Sequence, residues 1–327
     1  MYQENLTDYA DLASKLLKDQ KSEWKGLADN YNSLNKIKVR TFQYDEFKLK
    51  VQFNPERKAS IAAKIDEESI QKRKCFLCKE NRPEEQRGIN YNENFIILCN
   101  PFPVFPEHFT AAFKKHSPQK ISGNLNTLLN LSRDLEKKYT VMYNGPKAGA
   151  SAPDHSHFQV GTKFYMPIDT EFRQIKNKYG EILKNSENLK ITGINDGIRK
   201  YISIESNNIK LIQEIFHSFY SIYENISDKN EEPLMNILGF YDKAAGWRII
   251  IFLRSKHRST HYYAKEEKRI LISPAAVDMG GVCVTFLEED FNRVNKENLA
   301  EIIREVSLGQ QEFDKIKSLL AKKLSEP

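Results

Sequence analysis

The sequence has few of the features expected of a membrane-bound, secreted or nucleic-acid-binding protein. Its most apolar stretch, residues 247–253, is far shorter than the roughly 20 residues that a bilayer-spanning helix needs, so we expect no membrane partner. Residues 1–20 lack the basic start and apolar run of a signal peptide, which predicts a cytoplasmic protein. The formal net charge is +6, but lysine and arginine are interspersed with acidic residues, which argues against a nucleic-acid partner.

Cysteine is also scarce. Four cysteines in 327 residues are too few for a disulfide framework. Cys99 and Cys283 lie in apolar segments and are interpreted as buried core residues. Cys75 and Cys78 form a C-x-x-C pair, which in a reducing compartment is typical of metal binding or redox chemistry. A pair of reduced, unbound thiols is the alternative, and the absence of a thioredoxin-like context disfavours a redox role.

The apolar residues that are present follow the periods of both helices and strands. Residues 38–53 alternate on either side of Asp45-Glu46, which predicts a β-hairpin. Further strands are predicted at residues 94–100, 108–113, 139–145, 155–166, 246–257 and 269–276. Helices are predicted at residues 5–18, 61–73, 123–139, 208–226 and 295–324. The pattern predicts an α+β protein with a mainly antiparallel sheet.

The stretch "SAPDHSHFQVG", residues 151–161, places three polar side chains at strict alternation. In a β-strand, residues two apart point to the same face, so His155, His157 and Gln159 would form one row. Such a row needs hydrogen-bonding partners if it is half-buried, the alternative being an exposed surface strand. The preceding loop, residues 145–154, is rich in glycine and alanine, which permit close approach of the backbone to a ligand and favour phosphate binding by N–H groups.

The motif "HSHFQ" resembles the H-x-H-x-Q signature of the transferase branch of the histidine-triad superfamily. That branch includes galactose-1-phosphate uridylyltransferase, diadenosine tetraphosphate phosphorylase and GDP-hexose phosphorylases. The resemblance extends over residues 75–165, through "CFLC", "NPFPVFPEHFTAAFKKHS" and "YNG…GASAPDHSHFQ". It implies a histidine-triad-like α+β fold, in which a mainly antiparallel sheet is flanked by helices.

A structural zinc ion is the expected cofactor. Zinc takes four nitrogen or sulfur ligands, and Cys75 and Cys78 supply two thiolates from one turn. Two histidines must complete the set, and His108, His116 and His155 are the candidates. The resemblance implies His116 and His155, with His108 matching a histidine of the superfamily's proline turn. Four protein ligands leave no open position, so the zinc would be structural.

The resemblance also implies the catalytic residues. His157, as a neutral imidazole, would attack the α-phosphorus of a bound nucleotide and form a nucleotidyl-histidine intermediate. The N–H groups from Gly149 to Ser151, the Ser151 hydroxyl and the Gln159 amide would stabilise the charge on the phosphoryl oxygens. The superfamily's hydrolases carry a histidine at the position of Gln159. Because glutamine cannot shuttle a proton, transfer or phosphorolysis is favoured over hydrolysis.

Three further residues are candidates for nucleotide binding. By resemblance, Asn100 and Asn144 would contact the nucleoside and phosphate. Alternatively, Asn100 caps a turn before Pro101, and Asn144-Gly145 forms a simple turn. Lys147 is the cation nearest the motif and would pair with a phosphate, unless it is a solvated loop lysine.

A weak internal echo indicates a diverged duplication. Residues 109–118 and 249–259 each run from an apolar strand into a Lys-His pair. The second copy carries a basic cluster that would bind either a distal phosphate or solvent: Arg254, Lys256, His257 and Arg258. We divide the chain into an N-terminal helix and hairpin region (1–73), a catalytic core with the zinc site (74–165), a connecting or insert region (166–235), and a diverged second half with closing helices (236–327).

The sequence therefore predicts a nucleotidyltransferase or phosphorylase that acts through His157. The donor would be a nucleoside diphosphate sugar or a dinucleoside polyphosphate, and the acceptor phosphate or a sugar phosphate. The alternatives are a nucleotide hydrolase of the same superfamily and a non-catalytic zinc-containing module that binds nucleotides or RNA. The intact H-x-H-x-Q and the lack of a clustered basic stripe oppose the last of these. The base, the sugar, the acceptor and the oligomeric state, a homodimer included, stay open.

Overall fold

The computed structural model describes residues 8–58, 67–227, 231–265 and 268–326. The helices are α1 (Tyr9–Glu23), α2 (Lys25–Ser33), α3 (Glu67–Lys72), α4 (Leu125–Asp134), α5 (Pro167–Tyr179), α6 (Ile209–Ile226), α7 (Thr260–Tyr263), α8 (Ala276–Met279), α9 (Glu288–Arg293), α10 (Lys296–Val306) and α11 (Gln310–Lys323). The strands are β1 (Lys38–Tyr44), β2 (Phe47–Phe53), β3 (Gly88–Tyr91), β4 (Phe95–Cys99), β5 (His108–Phe113), β6 (Tyr139–Asn144), β7 (His157–Thr162), β8 (Gly180–Ser186), β9 (Leu189–Asn195), β10 (Lys200–Ser206), β11 (Met235–Asp242), β12 (Gly246–Leu253) and β13 (Val282–Thr285).

Ten strands form one antiparallel sheet in the order β3-β4-β5-β7-β6-β11-β12-β10-β9-β8. The predicted hairpin, β1 and β2, adds β13 in parallel to make a second, three-stranded sheet. Helices flank the large sheet. The predicted α+β fold with a mainly antiparallel sheet is therefore confirmed. Within the described residues, no helix has both the length and the apolar composition needed to cross a bilayer.

Alternation along the strands separates the core into two layers. Residues such as Val141 and Ile251 face one way, where α1, α2, α4, α6 and α11 cover them. Residues such as Met142 and Ile250 face the other way, toward the three-stranded sheet and α5, α8, α9 and α10. Gln159 pairs directly with Met142 across β6 and β7, so its side chain lies on this second face.

The large sheet consists of two halves with the same strand order. From the outer edge inward these are β3-β4-β5-β7-β6 and β8-β9-β10-β12-β11, joined between β6 and β11. This order makes β12 the counterpart of β7, and β10 the counterpart of β5. The sequence echo instead aligned residues of β5 with residues of β12, and that alignment is wrong. The counterpart of the histidine-bearing strand, "GWRIIIFL", contains no histidine.

Two predicted strands differ in the structure. Strand β7 begins at His157, whereas the N–H of His155 closes a turn on the Ala152 carbonyl at 3.2 Å, so His155 is not part of the predicted row. Residues 269–276 are partly buried but form no strand. Some of their backbone groups are hydrogen-bonded to side chains instead of to a neighbouring strand. The Pro274 carbonyl accepts from Arg254, and the Leu271 N–H donates to the Asp290 carboxylate.

The region 166–235, for which the sequence showed little pattern, supplies α5, α6 and the strands β8, β9 and β10. Strand β8 is an edge strand whose residues are largely exposed, so it carries no apolar alternation that could predict it. The predicted helices at 5–18 and 61–73 correspond to α1 and α3, apart from residues 5–7 and 61–66, which lie outside the described residues.

Candidate active site and metal centre

A cavity of about 470 Å³ lies on the sheet face that carries Gln159. Its size falls within the range usual for small-molecule sites. The first half of the chain provides most of its wall, and the second half adds Ala275 and Val277. Phe76 and Phe102, which are 47% and 36% exposed, line it where it meets solvent. Of the predicted site residues, the lining includes His157, Gln159, Asn100, Asn144, Gly149 and Ser151.

Beside this cavity, Cys75, Cys78, His116 and His155 bring their ligand atoms within 4.8 Å of one another. The Cys75 Sγ–His155 Nδ1 distance is 3.2 Å, and the Cys78 Sγ–His116 Nδ1 distance is 3.3 Å. A tetrahedral zinc would separate a sulfur and a nitrogen ligand by about 3.6 Å, given bonds of roughly 2.3 and 2.05 Å. The group can therefore bind a metal ion. His108, the third histidine candidate, lies elsewhere, in β5.

Three of the four residues are held in place by the fold. His155 is fully buried, and its Nε2–H donates to the Phe113 carbonyl at 2.7 Å, which leaves the Nδ1 lone pair toward the sulfurs. The N–H of Cys78 bonds the Cys75 carbonyl at 3.2 Å, and Asn81 Nδ2 donates to the same carbonyl at 3.0 Å. His116 is the exposed member of the group.

A backbone carbonyl orients the ring of His157, the predicted nucleophile. Its side chain is buried, and its Nδ1–H donates to the carbonyl of His155 at 2.8 Å, so the lone pair is on Nε2. Burial lowers the pKa of His157 to about 4, and the ring is therefore neutral at pH 7. His155 serves both sites at once, because its ring belongs to the metal-binding group and its carbonyl orients His157.

The amide of Gln159 is oriented by its neighbours. Its Oε1 accepts from His108 Nε2–H at 2.9 Å and from Asn100 Nδ2 at 3.2 Å. His108 Nδ1 accepts from the Val104 N–H at 3.2 Å, which places the ring proton on Nε2. Burial, followed by the charge of Arg57, lowers the pKa of His108 to about 3, so this tautomer is neutral. With Oε1 occupied, Nε2 of Gln159 is the donor left for a ligand.

The two predicted asparagines also have structural roles. Asn100 Oδ1 accepts from the Phe102 N–H at 2.9 Å, which is the turn interaction considered as its alternative. Asn144 Oδ1 accepts from the Ala276 N–H at 2.7 Å and from Asn236 Nδ2 at 2.9 Å. Asn144 therefore joins the two halves of the sheet. Contacts of Asn100 and Asn144 with a ligand stay predictions.

The predicted phosphate loop packs tightly against the second half. Gly149 has φ +94°, and a Cβ there would lie 2.7 Å from the Cα of Ala275, so this close approach requires glycine. Lys147 does not line the cavity. It is exposed and paired with Glu231, as expected of a solvated loop lysine. A cation that does line the cavity is Arg57, which follows β2.

Within the basic cluster of the second half, Arg254 has a structural role. Arg254 is 1% exposed, and its five N–H groups bond to oxygen atoms at Asn236, Lys256, His257, Pro274 and Val306. Neither phosphate binding nor solvation, the two predicted roles of the cluster, applies to Arg254. It anchors the segments that face the phosphate loop, where His257 Nδ1 accepts from the Gly149 N–H at 3.4 Å.

The sequence did not single out Arg57, Gln119 or Asn236. Gln119 and Asn236 are buried and hydrogen-bond to backbone next to the predicted site residues, whereas Arg57 lines the cavity itself. No periodicity or motif marks them, because each reaches the site through loop or interstrand packing. The nearest available signal was the position of Gln119 three residues after the metal-group histidine, His116.

Two family models match the chain, each over somewhat less than half of its length. Residues 16–162 match the domain of unknown function DUF4922, and residues 176–326 match the model described as GDPGP1-like, C-terminal domain. No curated protein sequence matches the chain.

Among solved structures, yeast Ap4A phosphorylase Apa2 is similar throughout. The structure of Apa2 alone is 15% identical with a TM-score of 0.58, covering 87% of this chain and 96% of that one. Its complex with AMP is 16% identical with a TM-score of 0.58, covering 90% and 96%. Its complex with Ap4A is 14% identical with a TM-score of 0.56, covering 89% and 97%. The chain therefore shares the fold of Ap4A phosphorylase, one of the enzymes in the group that the sequence resembles.

Proposed function

We propose that this protein is a phosphorylase-type nucleotidyltransferase. It moves a nucleoside monophosphate from a nucleoside diphosphate sugar or a dinucleoside polyphosphate to phosphate or a sugar phosphate. The observation that carries the proposal is the neutral His157, whose Nδ1–H is bonded to the His155 carbonyl beside a nucleotide-sized cavity. The fold of an Ap4A phosphorylase and the match to a GDPGP1-like C-terminal domain support the same class of enzyme.

The reaction proceeds in two displacements. His157 Nε2 attacks the α-phosphorus, a P–N bond forms, and the P–O bond to the leaving group breaks; that group is a sugar phosphate from a nucleoside diphosphate sugar, or a nucleoside polyphosphate from a dinucleoside polyphosphate. An oxygen of the acceptor then attacks the same phosphorus, and the P–N bond breaks. The Gly149 N–H is bonded to His257, so the N–H groups of Ala150 and Ser151, together with Nε2 of Gln159, donate to the phosphoryl oxygens, on which negative charge accumulates. Two in-line displacements give net retention at phosphorus.

We propose zinc for the metal-binding group, because two thiolates and two imidazoles are the donor set that structural zinc prefers. Cys75, Cys78, His116 and His155 would hold the ion. When bound, it would stabilise the fold around His155 and take no part in the chemical steps. The chain's own contribution is the His155 carbonyl, which keeps the proton of His157 on Nδ1.

A screen of donors with and without phosphate tests the activity. Purified protein is incubated with UDP-, GDP- and ADP-sugars and with diadenosine tetraphosphate, and the products are separated by nucleotide chromatography. We expect at least one donor to yield a nucleoside diphosphate, with turnover that depends on added phosphate. Hydrolysis of the donor at the same rate without any acceptor would refute the transferase assignment. Failure of every donor with every acceptor would count against the enzyme class.

Gln159 should control the balance between transfer and hydrolysis. Gln159→Ala removes the amide donor, and we expect turnover to fall about 10²–10³-fold, the range seen when one oxyanion donor is deleted. Gln159→His introduces a group that can activate water, so release of nucleoside monophosphate without acceptor should rise relative to wild type. Initial rates measure the first effect, and the ratio of monophosphate to diphosphate product measures the second.

The matched control for these variants is Gln52→Ala. Gln52 is fully buried and hydrogen-bonded, through Val104 and Tyr165, but it does not line the cavity. It should lose stability without a change in product ratio. An unaltered product ratio in Gln159→His, with the variant folded, would contradict the role assigned to Gln159.

A further inference from the structure

The side chain of Gln119 fills a gap between the strands that carry the site. The backbone ladder between β6 and β7 ends at the pair Met142–Gln159. Two residues beyond it, in the same register, Asn144 and His157 are joined instead by the amide of Gln119. Its Nε2 donates to the carbonyls of Asn144 and His157, both at 2.9 Å, and its Oε1 accepts from the His157 N–H at 2.8 Å.

These contacts determine the orientation of the Gln119 amide. A flipped amide would place Oε1 against two carbonyl oxygens and Nε2 against an N–H group. The residue is 1% exposed, and its own N–H donates to the Pro153 carbonyl at 3.0 Å. The N–H of Ser156 donates to the Ser117 carbonyl at 2.7 Å. The loop after His116 is therefore hydrogen-bonded to residues 153–156 both at Ser117 and at Gln119 itself.

We propose that Gln119 is a positioning residue that sets His157 relative to the nucleotide. It acts on the backbone of His157, while the His155 carbonyl acts on the ring, and the two contacts together define where Nε2 lies. The Gln119 amide also holds the backbone of Asn144, through its carbonyl, and Asn144 lines the cavity. An in-line displacement needs its reacting atoms about 3–3.5 Å apart, and a displacement of about 1 Å can cost about 10²-fold in rate. The proposal rests on the proposed function for its kinetic readout.

Two substitutions separate positioning from packing. Gln119→Met keeps the length and most of the volume of the side chain but loses all three hydrogen bonds, whereas Gln119→Ala also leaves a cavity. If Gln119 only fills space, Gln119→Met restores wild-type kinetics. If the amide positions His157, both variants are slow, and Gln119→Met is the more stable of the two.

The control is Gln20→Ala in α1. Gln20 is also fully buried, and its Nε2 donates to the Glu85 carbonyl, but it does not line the cavity. We expect this variant to lose thermal stability with kcat unchanged. All variants are assayed at the same interval below their own Tm, so that a fraction of unfolded protein does not enter the comparison.

The kinetic measurements are kcat, KM and the single-turnover rate at which the nucleotidyl group becomes attached to His157, forming a covalent adduct. Hydrogen exchange at the His157 backbone amide is measured beside them. For Gln119→Met we expect kcat and the adduct rate to fall about 10–100-fold, with KM changed less than about threefold. Protection of the His157 amide should also fall, as it should not in Gln20→Ala. Wild-type kcat in Gln119→Met would overturn the positioning role, as would unchanged protection. A wild-type protein that forms no adduct would instead refute the proposed function.

Discussion

Replacing His157 with alanine should abolish turnover and covalent labelling while leaving the metal content unchanged. In the proposed mechanism the Nε2 lone pair is the nucleophile, and loss of such a group lowers turnover on the order of 10⁴-fold or more. In wild-type protein, donor without acceptor should leave one nucleotidyl group per chain. The product is a phosphoramidate, which is labile in acid and stable in base, so intact-mass analysis under alkaline conditions detects it. Peptide mapping should place it within residues 151–163.

The control is His217→Ala, which removes an exposed histidine on α6 and should keep both adduct and turnover. An adduct that survives in His157→Ala, or that maps to another histidine, would refute the mechanism. The stereochemistry gives an independent check. A chiral thiophosphate donor should give product with net retention at the α-phosphorus, and inversion would indicate a single displacement with no covalent intermediate.

Loss of the metal should unfold the site and inactivate the enzyme together. We expect about one zinc ion per chain, and we expect Cys75→Ser or prolonged chelation to remove it and to lower Tm. Binding of a structural zinc contributes of order 10 kcal/mol in small domains, and we expect part of that free energy to be coupled to folding here as well. The activity should fall too, because His155 is a predicted ligand and its carbonyl orients His157.

Elemental analysis and thermal unfolding with and without chelator measure these effects. Cys283→Ala is the control, since Cys283 is a fully buried free cysteine outside the metal-binding group. It should keep its metal. Protein with reduced, unmodified thiols and no zinc would refute the metal assignment. Metal content unchanged in Cys75→Ser would show that the ligand set is wrong.

Local patterns in the sequence predicted much of the fold. The hairpin of β1 and β2, the helix α4 and the strands β4, β5, β6 and β12 follow alternation or helical period, which short-range sterics and burial impose. The edge strand β8 escaped prediction because exposure removes the alternation. Residues 269–276 were wrongly predicted to form a strand, because a buried apolar segment can be held by side-chain hydrogen bonds rather than by a ladder.

By itself, the sequence determined which residue types are available for the chemistry. The C-x-x-C spacing and the alternation of His157 and Gln159 are short-range features, and the fold brings the four predicted metal ligands together. Only the tertiary structure decided how those residues are held. Arg254 belongs to a basic cluster for which the sequence predicted either phosphate binding or solvation, because arginine is rarely buried without partners. The fold instead surrounds it with oxygen atoms from residues up to 52 positions away, which no local pattern encodes. The same holds for Gln119. Its amide makes hydrogen bonds to Asn144 and His157 where the strand ladder has ended, because a loop distant in sequence inserts it between them.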